Sequence, residues 1–259
     1  MISLYNSFKL MIRNIRVNMD PGTLIFLLAM PSMYLIFMGY MFNSIVSGIS
    51  VGSSSVDYRS FISPGIVAFE TLTAGAVAGS LLWSDRRYGM FEQILSLPYT
   101  RSEYLLGIIF TTIVFAVFGA GIMLVVSLFV VHFQYISIMG WLTIFGNVIL
   151  GSLFWGLVLL SLAAVVRSNQ MYNSIQIVIL FFANFASTVF YPITSSTPVS
   201  LRDLFYINPL TYTSNAIRSG YYSTMTAGVV LQQAVLVVET MLIFVVALLV
   251  YRKVRVGVV

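Results

Sequence analysis

The chain of 259 residues contains no cysteine and a single histidine, His132. A disulfide framework, a thiolate nucleophile and a Cys-bound zinc site are excluded, as is any metal motif built on a histidine pair. Lysine occurs only as Lys9 and Lys253, neither in a glycine-rich phosphate loop, so the chain has no P-loop of its own. Intramembrane serine proteolysis would need His132 as its base, and no serine beside it has a distinctive setting. Charge is scarce as well: 8% of residues are charged and 59% are hydrophobic, whereas soluble domains carry roughly a quarter charged residues. A chain this poor in polar surface reads as an integral membrane protein.

A helix needs about 20 mainly apolar residues to cross the hydrocarbon core. Six stretches meet that length, at 22–43, 61–83, 105–131, 138–166, 171–191 and 229–251. The predicted fold is an all-α polytopic membrane protein with six transmembrane helices. The first stretch is too long for a cleaved signal and reads as a retained anchor. Of 13 Lys and Arg, ten fall on one predicted side and only Arg59, Arg202 and Arg218 on the other. The positive-inside rule then places both termini in the cytoplasm of a cell membrane protein. The same bias explains the basic balance without nucleic acid as a partner.

Residues 1–21 form a predicted amphipathic interface helix preceding a membrane domain at 22–259. Leu4, Phe8, Met11, Ile12 and Ile15 recur at helical spacing, while Lys9, Arg13 and Arg16 occupy another face. That pattern suits the inner membrane surface, apolar side in lipid and basic side toward anionic headgroups. It serves either as a topology determinant or as a mechanical element. Asp20, Pro21 and Gly22 then turn the chain into the bilayer.

The inner loop near 85–98 carries Met90, Phe91, Ile94 and Leu95 as an apolar stripe on a short helix ended by Pro98. Asp85, Arg86, Arg87, Gly89 and Glu92 surround it. Such a helix is either an interfacial anchor or a knob for a groove on a soluble partner. Thr100 and Glu103 form a capping box opening the third span. On the outer side, 192–228 is too apolar for a solvated loop and too short to span. Asn208 is an N-cap and Pro209 the first helical residue, so a re-entrant helical hairpin is predicted there, closing the pathway. Ser63, Pro64 and Gly65 give a second cap-and-proline signal, where the second span either begins or breaks.

Ionisable residues inside spans are functional-site hypotheses. Glu70 and Glu239 qualify, the alternative for each being a protonated carboxyl making one interhelical hydrogen bond. Asn173, Gln176, Asn184 and Ser187, separated by 3, 8 and 3 residues, fall on one helical stripe. The stripe lines a translocation path or joins two helices.

The run Phe61-Ile62-Ser63-Pro64-Gly65-Ile66-Val67-Ala68, with Asp85-Arg86-Arg87-Tyr88-Gly89-Met90-Phe91-Glu92-Gln93-Ile94-Leu95-Ser96-Leu97-Pro98, resembles the signature of permease subunits of type-2 ABC exporters. Daunorubicin-resistance-type and nodulation-factor-type export permeases are among them. Phe190-Tyr191-Pro192-Ile193, Asn208-Pro209-Leu210-Thr211-Tyr212 and Ala216-Ile217-Arg218 are similar to that family's outer re-entrant helices. The resemblance implies a transport subunit with no catalytic site, paired with itself or a related permease and seated on a separate ATP-binding cassette ATPase. That partner would bind ATP and magnesium, and this chain would hold no cofactor. The 85–98 segment becomes the coupling helix and the 4–16 segment, with Phe8, Lys9, Arg13 and Arg16, the interface helix. Closure of the ATPases would move spans one, two and five about the dimer axis. Pro64, Gly65, Asn208, Pro209 and Arg218 would form the outer gate, and Glu70, Asn173, Gln176, Asn184 and Ser187 the pathway. Drug, lipid and glycan exporters share the pattern. The apolar hairpin and a pathway with few charges favour an amphipathic or hydrophobic cargo, moved outward through the lipid membrane. The rival is an ion-coupled secondary transporter or channel that uses Glu70 and Glu239 and needs no ATPase.

Overall fold

The computed structural model describes residues 3–46, 48–51, 54–131, 135–194 and 197–252. His132, Ser53, Ser195, Ser196, Lys253 and Arg255 lie outside the described residues. The order is α1 (Leu4–Asn18), α2 (Pro21–Met33), a π-helical turn (Tyr34–Met38), α3 (Gly39–Asn43), β1 (Ile49–Val51), β2 (Ser54–Val56), α4 (Tyr58–Arg87), α5 (Met90–Ser96), α6 (Arg101–Val130), α7 (Ile138–Val165), α8 (Asn169–Phe185), α9 (Val199–Ile207), α10 (Pro209–Tyr222) and α11 (Ala227–Arg252).

Four helices among the described residues are each long and apolar enough to cross a membrane: α4, α6, α7 and α11. The other two predicted spans differ in form. Residues 21–43 are helical throughout, but Pro31 removes a backbone donor and the ladder loosens into the π turn that follows. The fifth is shorter than predicted: α8 ends at Phe185, and 186–190 are non-helical.

The four long helices are buried to very different extents. In α4, 94% of the most apolar window is buried, against 22% in α11. The α4 helix is therefore the central post of the bundle, with α6, α7 and α10 packed round it, and α11 forms an outer stave on α7 and α10. Small residues on α4 allow the close approach. A Cβ built on Gly65 would sit 2.5 Å from the Val189 carbonyl oxygen, so only glycine lets the 186–190 segment lie against the helix. The β1–β2 pair, antiparallel with Ile49 opposite Val56, joins α3 to α4 and was not foreseen from the sequence.

Pro64 neither starts nor breaks α4. The helix begins six residues earlier, where the Asp57 carboxylate accepts from the Ser60 N–H at 3.2 Å. A proline at this depth leaves the Ser60 carbonyl without its helical donor. The Tyr222 hydroxyl supplies one instead, at 2.7 Å.

Candidate functional site

Two regions at opposite ends of the bundle hold most of the residues singled out in the sequence. The first lies where α1, α5 and the facing ends of α4, α6 and α11 meet. Asp85, Arg86 and Arg87 belong to the last turn of α4, not to the short helix, because the ladder continues until Gly89 at φ 67° ends it. Asp85 is buried and accepts two hydrogen bonds from Arg13, Nη1 to Oδ2 and Nη2 to Oδ1, each 2.6 Å. Tyr104 of α6 donates its hydroxyl to the same carboxylate at 2.8 Å. The amphipathic helix is thus clamped to α4 and α6 by a bidentate, charge-assisted pair, and Arg13 does not reach outward to headgroups as predicted. Hydrogen bonding to Asp85 raises the Arg13 guanidinium above its ordinary pKa.

The face of α1 turned to the bundle is Ser7, Leu10 and Asn14. Leu4, Phe8 and Ile12 stay exposed, as do Lys9 and Arg16. Phe8 also stacks on Phe110 with ring centroids 5.3 Å apart. Glu103 completes the predicted capping box with Thr100 and additionally accepts from the Ser3 N–H at 2.7 Å, fixing the start of α1.

The α5 stripe points inward. Phe91 is fully buried, 5.2 Å from the Tyr104 ring and 6.4 Å from that of Tyr251, and Ile94 is buried beside it. Met90 and Leu95 are half-buried, while Gln93 and Ser96 face out with Glu92 at the edge. Phe91 therefore anchors the short helix, and only the polar face is open to a partner. Leu97 turns the chain into extended backbone before Pro98, ending α5 as predicted. A cavity of about 420 Å³ beside it is lined by Trp83, Arg86, Arg87, Gly89, Glu92 and Asn169. Arg86 stacks over Trp83 at 4.8 Å.

The predicted polar stripe on the fifth span is divided. Asn173 lines a cavity of about 270 Å³ with Ser80, Trp83 and Arg87. Gln176 lines another of about 360 Å³ with Asn18, Asp20 and Ser80. Asn184 and Ser187 are buried elsewhere, and Ser187 is off the helix, donating to the Asn184 carbonyl at 2.7 Å. Glu70, expected on the pathway, is sealed between α4 and α6. It is fully buried, takes a 3.1 Å hydrogen bond from Thr73, and fills the space that a side chain at Gly119 would need. Glu239 is half-buried on α11 with Oε2 lacking a partner among the described residues.

The second region, at the far end, is a set of hydrogen bonds to backbone that helices leave unpaired. Asn208 caps α10 through its Oδ1, accepting from Leu210 N–H at 3.0 Å, as predicted with Pro209 at the first helical position. Its amide also donates to the Ala183 and Ala186 carbonyls at the end of α8, both at 2.7 Å. Tyr58 donates to the Phe190 carbonyl at 3.0 Å. Arg218 donates to the carbonyls of Phe61 at 3.4 Å and Thr188 at 2.9 Å, and to Asn215 Oδ1 at 3.1 Å. The predicted gate residues Pro64, Gly65, Asn208, Pro209 and Arg218 are therefore brought together around 186–190. Tyr58, Thr188, Asn215 and Tyr222 were missed. The proline at position 64 signals that a donor to Ser60 is needed, but nothing in the sequence says which residue supplies it.

The sequence profile of the ABC-2 type transporter family matches residues 6–222. No curated protein sequence matches the chain.

Proposed function

The chain belongs to the ABC-2 type transporter family, a multi-pass membrane component of an ABC transporter, and from that premise we propose that it is the permease subunit of an ATP-driven exporter. It would move an amphipathic or hydrophobic cargo outward, with ATP and magnesium held by a separate ATPase and a second permease copy completing the path. In this reading all six apolar stretches cross the bilayer. The 21–43 run and α8 serve as the first and fifth spans, at about 1.5 Å of rise per helical residue. The α9–α10 pair is the re-entrant outer element, and both termini are cytoplasmic.

The Arg13–Asp85 clamp is the observation that carries this reading. It joins the amphipathic helix to the base of the central post, and Tyr104, which donates to Asp85, packs its ring against Phe91 on the buried face of α5. A push on α5 or α1 has a stiff, short route into α4, which reaches the opposite end where Phe61 and Ser60 meet α10. A rigid element that spans both ends is what alternation between two access states requires. The ion-coupled alternative is weakened by Glu70, which is fully buried between α4 and α6 against Gly119 and Thr73.

Co-purification from the native membrane in mild detergent tests the proposal. A P-loop ATPase retained with the wild type, and lost when Glu92 and Gln93 are both changed to arginine, supports it. Recovery of intact permease with no ATPase contradicts it.

A further inference from the structure

The cavity at the α9–α10 end has a volume of about 280 Å³, and its walls include Phe61, Tyr206, Asn215, Arg218, Val229 and Gln232. Among the described residues, no Asp or Glu lines it. Arg218, only 6% exposed, lies with its guanidinium carbon 4.0 Å from the Phe61 ring centroid. Its three protein acceptors are all neutral oxygens. Neither of the ion pairs Arg13–Asp85 and Arg59–Asp57 involves Arg218, and no carboxylate is among its hydrogen-bond acceptors in the described residues. Guanidinium carries five N–H groups, and three are used, which leaves one on each terminal nitrogen. Gln232 has its Oε1 engaged by Asn215 at 3.1 Å, and its own amide remains available as a donor.

A buried cation held only by neutral acceptors is costly to desolvate. Bracing two carbonyls needs donors but no net charge, so the positive charge is unexplained by the fold. The surroundings are mixed. Phe61, Tyr206 and Val229 give apolar wall, and α9, which carries Tyr206, also exposes Val199, Leu201, Leu204 and Ile207. A ligand that matches this has one anionic head and an apolar body.

We propose that the cavity takes the single phosphate or carboxylate head of an anionic amphiphile, with Arg218 as counter-ion, Gln232 as a further donor, and the apolar tail laid along α9. The proposal rests on the transport reading and narrows its cargo from amphipathic in general to anionic amphiphiles.

Because the chain has no cysteine, Val229→Cys places a single thiol on the cavity wall. The full chain is purified in a neutral sugar detergent, and the rate of maleimide labelling is measured with dodecyl phosphate, dodecyltrimethylammonium or inorganic phosphate added. Dodecyl phosphate is expected to slow labelling about tenfold, a difference worth about 1.4 kcal/mol, and the other two to leave it unchanged. Arg218→Gln removes the protection and Arg218→Lys keeps part of it. If Arg218→Gln does not fold, the three-ligand comparison at native Arg218 still decides. Equal protection by dodecyltrimethylammonium would reduce the site to an apolar groove. Protection by inorganic phosphate alone would remove the amphiphile from the assignment, and no protection by dodecyl phosphate would remove the site. No ATPase takes part in the assay, so a failure of ATP-driven transport and a failure of this site are separate results.

Discussion

Arg13 holds Asp85 through two 2.6 Å hydrogen bonds across 72 residues of sequence. The pair joins an element that lies outside the predicted spans to the one helix that the rest of the bundle surrounds.

Removing either partner leaves the other charge partly buried and unanswered. Arg13→Ala and Asp85→Ala are each expected to destabilise the protein by about 2 kcal/mol, below the full cost of breaking a buried pair because Arg13 is partly exposed. The double substitution is expected to cost clearly less than the sum. A thermal double-mutant cycle on the purified protein measures this, and additive single effects would mean that the two side chains are not coupled.

Tyr222→Phe removes the donor that satisfies the Ser60 carbonyl. The expected loss is about 1–2 kcal/mol, the cost of an unpaired buried acceptor. Pro64→Ala restores a backbone donor to the same oxygen, so it should recover most of the stability in the Tyr222→Phe background. Melting curves of the two single variants and the double variant check the sign of that interaction.

Asn208 does two things with two different atoms. Asn208→Ser keeps an oxygen to cap α10 but loses the amide donors to the Ala183 and Ala186 carbonyls, whereas Asn208→Ala loses both. Ala is therefore expected to be worse than Ser by about 1 kcal/mol, the value of an N-cap. Equal melting temperatures for the two variants would show that the cap contributes nothing here.

Glu70→Gln is nearly the same size and keeps the contacts with Thr73 and Gly119. Transport by the reconstituted complex is expected to stay within about threefold of wild type, a change below 1 kcal/mol. Loss of transport with normal folding would favour the ion-coupled alternative.

The apolar runs that became α4, α6, α7 and α11 were legible because twenty or so mainly apolar residues in a row have few other fates. The Thr100–Glu103 and Asn208–Pro209 signals were legible because caps are local: the residue and its target lie within three positions. What the sequence hid is long-range. Arg13 and Phe91 were both placed on open faces, since periodicity identifies a face without saying what covers it. Glu70 stood out as a charge in a span, yet its neighbour Gly119 carries no signal that it makes room for a carboxyl. The stripe from Asn173 to Ser187 assumed one continuous helix, and α8 ends at Phe185, where Asn208 takes up its last carbonyls.

The central claim is that the polar face of α5 seats an ATPase. With no native cysteine, Gln93→Cys can carry a photoreactive maleimide in native membranes, with Tyr135→Cys, 89% exposed near the start of α7, as the comparison. The account predicts a covalent adduct with a P-loop ATPase from position 93 and none from position 135. No ATPase adduct from position 93 in a membrane where the permease is intact, or equal adducts from both positions, would contradict it.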